Sequence, residues 1–312
     1  MRVPRLRPGV YRAMTFAALV LLASIVVTGA LVRLTDSGLG CSDWPRCNEE
    51  KLIDVSSTHA AIEQLNRLFT GLVGVAVILA VAGSLLRAPR RRDLTWLSLS
   101  LVGGVIGQAV VGGIVVLTHL HPLAVQQHFL LSMVILAAAV TLHRRATLGD
   151  GERWERAVSQ STMRRVWVLG ALTAVAITTG TVVTGTGPHS GQHDGEPVQR
   201  FGFAISSVVR VHSGAVILTV AALAALLWHL RKHPDRARLE SSLTGFSLIA
   251  ISQGTVGYVQ YFSDIPVALV GIHVALATTL WLSLVYLLVA TRRVVGAPSG
   301  EAGEIPADVV KV

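Results

Sequence analysis

Three histidines lie deep within long apolar stretches of the chain, where an ionisable side chain is costly unless it has a function. They are His128, His212 and His273. His212 and His273 lie at matching depth, about 11–12 Å below the same end of their stretches at a helical rise of ~1.5 Å per residue. Two histidines at equal depth on different helices predict axial ligation of one haem iron. The alternative for any single ring is a hydrogen bond between helices.

A second group of polar residues lies near the start of another apolar stretch. His59, Glu63 and Asn66 are spaced so that one helix face carries all three, if the helix begins that early. Arg67 follows Glu63 by four residues, which is the spacing of an ion pair along a helix. The carboxylate therefore predicts either a structural ion pair or a catalytic, proton-handling group, and the two interpretations are compatible.

Long apolar helices are needed to position these residues. The chain of 312 residues is 52% hydrophobic and only 14% charged, whereas soluble domains carry about 25% charged residues. The first apolar run is too long for a cleaved signal peptide. Runs long enough to cross a bilayer predict an all-α fold of eight transmembrane helices, at 13–32, 62–86, 94–117, 123–142, 166–185, 204–229, 241–262 and 266–290.

The net charge is +9, and the basic residues are concentrated in particular connections. Of the 27 Lys and Arg residues, 21 lie at the two ends of the chain or in every second connection between the apolar runs. The positive-inside rule places these segments and both termini in the cytoplasm. The charge is therefore explained by the topology of a multi-pass protein of a cytoplasmic (inner) membrane, and nucleic acid is not an expected partner.

The first connection on the opposite side, at 33–61, contains both cysteines of the chain, Cys41 and Cys47. An exported loop lies in an oxidising compartment, where such a pair forms a disulfide. A pair of free thiols is the alternative. A zinc site is not expected, because two cysteines alone do not supply the usual four ligands.

The sequence also contains an internal repeat. The matched positions are Gln108, Gly112 and His128 with Gln253, Gly257 and His273, Asn66 with His212, and Thr28-Gly29 with Thr179-Gly180. The first three pairs are each 145 residues apart, which predicts two tandem four-helix bundles related by an axis along the membrane normal. The predicted organisation is a cytoplasmic segment at 1–12, a first half at 13–143, a cytoplasmic linker at 144–165, a second half at 166–291 and a cytoplasmic tail at 292–312 that is expected to be disordered.

Three motifs resemble those of the haem A synthase family, over about residues 13–290. The stretch GLGCSDWPRC at 38–47 is similar to the family's glycine-rich loop with paired cysteines and a Trp-Pro step. EQLNR at 63–67 resembles its Glu-x-x-His-Arg motif, and TGTGPH at 184–189 resembles its Thr-Gly-Ser-Gly-Pro-His turn. His128, His212 and His273 fall where the family's helix histidines lie.

The resemblance implies that one methyl group of haem O is oxidised to the formyl group of haem A by successive hydroxylations with water-derived oxygen. It implies a haem b cofactor between His212 and His273, through which electrons leave, and a haem O substrate in the first half with His128 as an iron ligand. It makes Glu63 the catalytic carboxylate, which would stabilise an electron-poor methyl carbon or deprotonate the attacking water.

Asn66 departs from the family's pattern, because a second substrate-haem ligand often stands at that position. We expect the substrate iron to be held by His128 alone, or by His128 together with His59, with Asn66 and Arg67 lining the same site. A disulfide between Cys41 and Cys47 would order the loop over that site, and a redox role for the two cysteines stays open.

The resemblance also implies partners. Haem O would come from a haem O synthase (a protohaem farnesyltransferase), and a terminal cytochrome oxidase would receive the product. A membrane electron acceptor, such as a quinone, would take the electrons; membrane lipid surrounds the chain, and a homo-oligomer is an open alternative. Two other functions compete. A non-catalytic di-haem b electron carrier needs ligand pairs in both halves, which Asn66 disfavours, and a transporter would need broken helices at matching positions.

Overall fold

A computed structural model describes residues 5–193 and 196–296, and within them the chain forms eight long α-helices with short connections. The helices are α1 (Pro8–Leu34), α2 (Thr58–Leu86), α3 (Arg92–Leu117), α4 (Pro122–Ala146), α5 (Gln160–Thr186), α6 (Ile205–Leu230), α7 (Arg236–Phe262) and α8 (Val267–Ala290). Each predicted apolar run falls within one helix, apart from a single residue at the starts of α6 and α8. The prediction of an all-α fold is confirmed.

Local sequence signals explain where several helices begin. Ser57 caps α2 by accepting a hydrogen bond from the Ala60 amide at 3.1 Å, and Ser159 caps α5 by accepting one from the Thr162 amide at 3.2 Å. These caps satisfy amides that have no partner within the helix. Helices α1 and α4 instead begin with proline, whose fixed φ suits the first helical position.

Seven of the eight helices in the described part of the chain are long and apolar enough to cross a membrane, and α7 is the exception. Helix α7 carries Gln253 and Gln260 among its apolar residues, and its first turns carry Arg236, Arg238 and Glu240. These polar side chains lower its apolarity although its length of 27 residues is ample. Large apolar side chains are exposed along all eight helices, α7 included, as expected of surfaces that face lipid.

The helices pack as two sets of four. In the first half, α1 contacts α2 and α4, and α3 contacts α2 and α4; in the second half, α5, α6, α7 and α8 form the equivalent ring. The halves meet where α8 packs on α1 and α4, and where α4 packs on α5. Within the described residues, the diagonal helices α2 and α4 are not in contact, and neither are α6 and α8. Each half therefore has space between its diagonal helices.

The connections that follow the odd-numbered helices share one end of the molecule. An added Cβ at Gly38 would lie 3.2 Å from Leu120, in the turn between α3 and α4. His189 Nε2 lies 2.7 Å from the backbone oxygen of Ile265, in the turn between α7 and α8. Cys41 and Cys47 form a disulfide in the connection between α1 and α2, so we call this end the disulfide side and the opposite end the basic side.

Short strands complete the two ends of the molecule. On the basic side β1 (Arg153–Arg156) pairs antiparallel with β4 (Arg292–Val295), and on the disulfide side β2 (Gln192–His193) pairs with β3 (Glu196–Pro197). Strand β4 joins the linker between the halves to the end of α8. The prediction of a disordered tail is therefore wrong for 292–295, because backbone pairing with β1 orders these residues, and 297–312 lie outside the described residues. Helix α1 also begins earlier than predicted, at Pro8 within the segment 1–12.

Candidate functional site

Each even-numbered helix carries one of the predicted ligand positions near its start on the disulfide side. Asn66, His128, His212 and His273 lie between the seventh and the ninth residues of α2, α4, α6 and α8. The four side chains therefore lie at similar depth, which the sequence analysis expects of His212 and His273. Since α2 and α4 do not touch, and α6 and α8 do not touch, each half has two such positions on helices that are separated across its centre.

A glycine on the preceding helix faces each of these four side chains. The pairs are Gly29 with Asn66, Gly112 with His128, Gly180 with His212 and Gly257 with His273. A Cβ added at Gly112, Gly180 or Gly257 would lie 3.2, 3.1 or 3.0 Å from the facing imidazole Cε1. The rings thus pack directly on helix backbone, and a larger residue would push them away. At Gly29 the added Cβ would lie 3.9 Å from the nearest side-chain atom, Asn66 Nδ2, which leaves more space.

Hydrogen bonds orient the two histidines of the second half. His212 Nδ1 lies 3.1 Å from the hydroxyl oxygen of Thr179. That hydroxyl donates to the backbone oxygen of Val175 at 2.9 Å, so His212 Nδ1 carries the proton and donates, which leaves Nε2 as a free lone pair. Gln253 Nε2 lies 3.1 Å from His273 Nε2. The Nδ1 of His273 is buried with no hydrogen-bond partner in the described part of the chain.

These features fit a haem held between two imidazoles. His212 and His273 lie at similar depth in their helices, and these helices are separated across the centre of the half. The unpartnered Nδ1 of His273 is costly in a protein interior, and Gln253 Oε1 also lacks a partner among the described residues. Turning the Gln253 amide over lets this oxygen accept a hydrogen bond from His273 Nε2, which leaves on Nδ1 the lone pair that binding an iron requires. Neutral imidazole nitrogens are also the donor type that haem iron takes from proteins.

The first half repeats the arrangement around only one histidine. His128 Nδ1 is buried and has no partner among the residues described. Gln108 Nε2 donates to the backbone oxygen of His128 at 3.0 Å and to Ser132 Oγ at 2.7 Å. Across the half, the Asn66 amide oxygen accepts a hydrogen bond of 2.9 Å from the Thr28 hydroxyl. One imidazole and one amide therefore take the places of the two imidazoles in the second half.

Glu63 is buried one helical turn from Asn66, on the disulfide side of that residue. Only 6% of Glu63 is exposed. Its Oε1 accepts hydrogen bonds from Arg67 Nε and Nη2 at 3.0 and 2.6 Å, and its Oε2 accepts one of 2.8 Å from the Cys41 backbone amide. The predicted Glu63–Arg67 ion pair is confirmed. The positive guanidinium compensates the buried carboxylate, and the amide fixes its second oxygen.

The disulfide loop at 38–47 packs tightly over this carboxylate. Arg67 donates to the backbone oxygens of Asp43 and Arg46 at 3.0 and 2.9 Å. Gly40 lies directly against helix α2, since a Cβ there would come within 2.3 Å of the His59 backbone oxygen. The loop and the buried ion pair therefore hold each other in place.

The same loop reaches across to α3. A Cβ added at Gly113 would lie 2.9 Å from the ring of Trp44, so this ring packs on the helix next to Gly112. The loop thus spans from Glu63 to the glycine that faces His128. It covers the disulfide side of the first half.

His59 is placed apart from the predicted iron position. It is exposed, and its Nδ1 lies 2.9 Å from the hydroxyl oxygen of Ser37. It precedes Asn66 by seven residues, which is roughly 10 Å along a helix. The structure therefore puts His59 and Glu63 against the disulfide loop, and Asn66 deeper, against Thr28.

Several residues have contacts at or near the site that were not predicted from the sequence. Thr28 and Thr179 were matched in the repeat, but their hydrogen bonds to Asn66 and His212 were not predicted. A polar residue one position before a glycine, repeated in both halves, is a signal that could have found them. Gln126 Nε2 donates to Thr181 Oγ1 at 2.8 Å and so joins the halves; its position inside an apolar run could have revealed it.

Comparison with known proteins agrees with the motifs. Residues 12–189 match the family model COX15-CtaA, described as cytochrome oxidase assembly protein. The chain belongs to this family. Similar bacterial proteins named heme A synthase include one from Lysinibacillus sphaericus (strain C3-41), 32% identical over 127 residues, with 40% of this chain and 41% of the relative aligned. One from Exiguobacterium sibiricum is 27% identical over 164 residues, covering 52% of this chain and 55% of the relative.

The chain spans about half the length of these two relatives. A third heme A synthase, from Shouchella clausii (strain KSM-K16), is 26% identical over 280 residues, covering 86% of this chain and 93% of the relative. The predicted membership of the haem A synthase family is confirmed. Together with seven helices that are apolar enough to cross a bilayer, it makes this chain a multi-pass membrane protein.

Proposed function

We propose that the chain is a haem A synthase, which oxidises one methyl group of haem O to the formyl group of haem A. The observation that carries this proposal is the buried Glu63, held between Arg67 and the Cys41 amide one turn from Asn66. It lies in the half that has a single histidine among its ligand positions, while the other half has two. Family membership and the names of the relatives support the same activity.

The proposal includes eight membrane spans in two four-helix bundles, with both termini in the cytoplasm. Helix α6 ends on the basic side, and α8 begins on the disulfide side, where Gly271 packs on Leu31 of α1. Helix α7 joins these points, and its 27 residues extend about 40 Å at ~1.5 Å per residue. Tyr258 and Tyr261 are exposed near its disulfide end, where tyrosines are typical of a membrane interface. We infer that α7 crosses as the eighth span.

The proposed reaction proceeds in two hydroxylations. In each, the methyl carbon loses a hydrogen, gains an oxygen from water, and releases two electrons and two protons. The second step gives a geminal diol, which loses water to leave the formyl group. Glu63 would accept a proton from the attacking water or stabilise the electron-poor carbon. Arg67 keeps the buried carboxylate paired, and the disulfide loop excludes bulk water.

The second half would hold a haem b between His212 and His273. When bound, this cofactor supplies one-electron redox chemistry, by which the electrons pass to a membrane acceptor of the quinone class. Thr179 keeps His212 in the tautomer whose Nε2 is free, and Gly180 and Gly257 let the two rings pack against backbone. A haem O synthase would supply the substrate, and a terminal cytochrome oxidase would take the product.

The proposal is tested by expressing the full chain together with a haem O synthase in cells that lack their own haem A synthase. Haems are extracted from the membranes and separated by chromatography. We expect haem A, or its hydroxylated precursor, and neither should form without the chain. If the purified protein holds haem b and haem O is unconverted with quinone present, the chain is instead an electron carrier.

A further inference from the structure

The same Thr-Gly pair holds a different side chain in each half. On α5, Thr179 accepts a hydrogen bond from His212 Nδ1, so that the ring's other nitrogen is free as an acceptor. On α1, the Thr28 hydroxyl is the donor. It lies 2.9 Å from the Asn66 amide oxygen and 3.3 Å from the backbone oxygen of Ile25 in its own helix, so the amide oxygen is the nearer acceptor. The two hydrogen bonds run in opposite directions. The second half therefore presents a lone pair, and the first half presents the N–H group of an amide.

The Asn66 amide nitrogen has room in front of it. Among the described residues it has no hydrogen-bond partner, and Asn66 lines a cavity of about 320 Å³ between α1 and α2. The rest of that lining is mostly apolar, and includes Leu31, Ile62, Leu65 and Phe69. Without a partner there, the amide donor is unsatisfied until a ligand accepts from it. At the position where the second half has an imidazole nitrogen, the first half therefore offers a hydrogen-bond donor, which cannot bind a metal.

His59 does not fill the place of the missing ligand. Its ring is hydrogen-bonded to Ser37, and the residue is exposed. Its backbone is in contact with Gly40 of the disulfide loop. It lies two helical turns from Asn66, roughly 10 Å along the helix. His128 is at the depth of Asn66 and has a buried nitrogen without a partner in the described chain. Of these two histidines, His128 alone combines the depth of Asn66 with a ring nitrogen that is available to an iron.

We propose that Asn66 donates a hydrogen bond from Nδ2 to a water bound on the face of the substrate iron opposite His128, and that Thr28 is the residue that orients this amide. The inference rests on the proposed function, because it places haem O in the first half. The substrate iron then has one protein ligand and an exchangeable water. Such an iron is high-spin and is released more readily than the bis-histidine haem b.

The inference is tested on the purified full chain loaded with ferric haem O, by electron paramagnetic resonance and by titration with fluoride. Fluoride replaces an iron-bound water and accepts a hydrogen bond, so its affinity reports a nearby donor. We expect a high-spin signal from haem O beside the low-spin signal of haem b. Asn66→Leu should weaken fluoride binding about tenfold, the equivalent of one hydrogen bond to a charged acceptor. Asn66→His should convert the high-spin signal into a second low-spin one.

Thr28→Val should weaken fluoride binding less than Asn66→Leu does, about threefold, because the amide remains but turns. Thr141→Val is the matched control, since the Thr141 hydroxyl bonds only its own helix, at Ala137. An unchanged low-spin haem b signal in every variant shows that the protein has folded.

A low-spin haem O in the wild type, or fluoride binding that is unchanged in Asn66→Leu, would overturn the inference while leaving the synthase proposal intact. In the first case, His59→Ala would show whether His59 is the second ligand. Failure of haem O to bind at all, with haem b retained, would instead contradict the proposed function, and the inference would fall with it.

Discussion

The two halves of the chain share one framework and differ in what covers it. In both, a glycine on the first helix of a pair faces the ligand position on the second, and a glutamine occupies the same register on α3 and on α7. Among the residues that the structure describes, only the first half has a disulfide loop with a buried carboxylate beneath it. Only the second half has an imidazole at both ligand positions. The two halves therefore share a framework, and a few side chains determine how their chemistry differs.

If the proposed function holds, this difference shows how one fold can separate a resident cofactor from a substrate. Two imidazoles packed on backbone glycines would form a rigid, fully protein-ligated site, which suits a group that stays. One imidazole and an amide form a weaker site, which suits a group that must enter and leave. On the proposed function a carboxylate is needed only where haem O reacts, and Glu63 lies in the half to which the proposal assigns that substrate.

The largest expected effect comes from removing the carboxylate that only the first half has. Glu63→Gln should reduce haem A formation at least about 100-fold, because general acid–base groups contribute that much to rate. The haem b spectrum should be unchanged, since Glu63 is in the other half. Extracted haems and the spectrum of the same purified protein measure both effects. Glu240→Gln, on the exposed basic end of α7, is the control, and loss of haem b in Glu63→Gln would show that Glu63 is structural.

Removing one axial histidine at a time should show that each half holds its own haem. His273→Ala should lose most of the bound haem b, because the iron would keep a single axial histidine. His128→Ala should keep haem b and lose bound haem O. Haem content per protein, measured before and after adding haem O, distinguishes the two variants. Equal loss of haem b in both would contradict the assignment of one haem to each half.

The next largest effect is expected from the glycines that face the ligand histidines of the second half. Gly257→Ala would place a Cβ 3.0 Å from the His273 ring, and Gly180→Ala would crowd His212 in the same way. We expect haem b affinity to fall by about 10–100-fold, as it does when groups that orient a metal ligand are changed. Gly254→Ala is the matched control on α7, because nothing lies within 4 Å of its added Cβ. If Gly257→Ala binds haem b as tightly as this control does, the packing has no role in ligation.

Much of this fold follows from the sequence alone. Apolar runs located all eight helices because length and composition are local properties, and the repeat of Gln108, Gly112 and His128 predicted equivalent packing in α7 and α8. The pairing of β1 with β4 was not predictable, because it joins residues almost 140 positions apart, Arg156 with Arg292 for example, and neither strand has a strong local pattern. Helix α7 was predicted from the same apolar pattern, but its glutamines leave it less apolar than the others.

The site was predicted in its residues rather than in its contacts. The sequence placed Glu63 near Arg67 because helix spacing fixes that distance. It did not show that the Cys41 amide binds the same carboxylate, because that contact depends on how the loop folds back. The direction of the Thr28–Asn66 hydrogen bond was equally hidden, since it depends on the competing backbone acceptor of each hydroxyl.

Removal of the disulfide tests whether the loop acts on the first half alone. Replacing Cys41 and Cys47 by serine should destabilise the loop by about 2 kcal/mol, the chain-entropy value for so short a loop. The Glu63 carboxylate would then lose its fixed amide partner, so haem A formation should fall while haem b content stays unchanged. Thermal unfolding and haem extraction check the two effects. Unchanged activity and expression would remove both a structural and a redox role for the pair.

The smallest expected effect lies at Gly29, the first-half counterpart of Gly180. An alanine there would stand 3.9 Å from Asn66 Nδ2, an ordinary contact, and alanine within a helix is favoured over glycine by roughly 0.5–1 kcal/mol. Gly29→Ala should therefore bind haem O and haem b as the wild type does, with equal or higher thermal stability. If it lost haem O as strongly as Gly180→Ala loses haem b, the first half would hold its ligand residue as tightly as the second, and the contrast between a substrate site and a cofactor site would have to be sought in the disulfide loop instead.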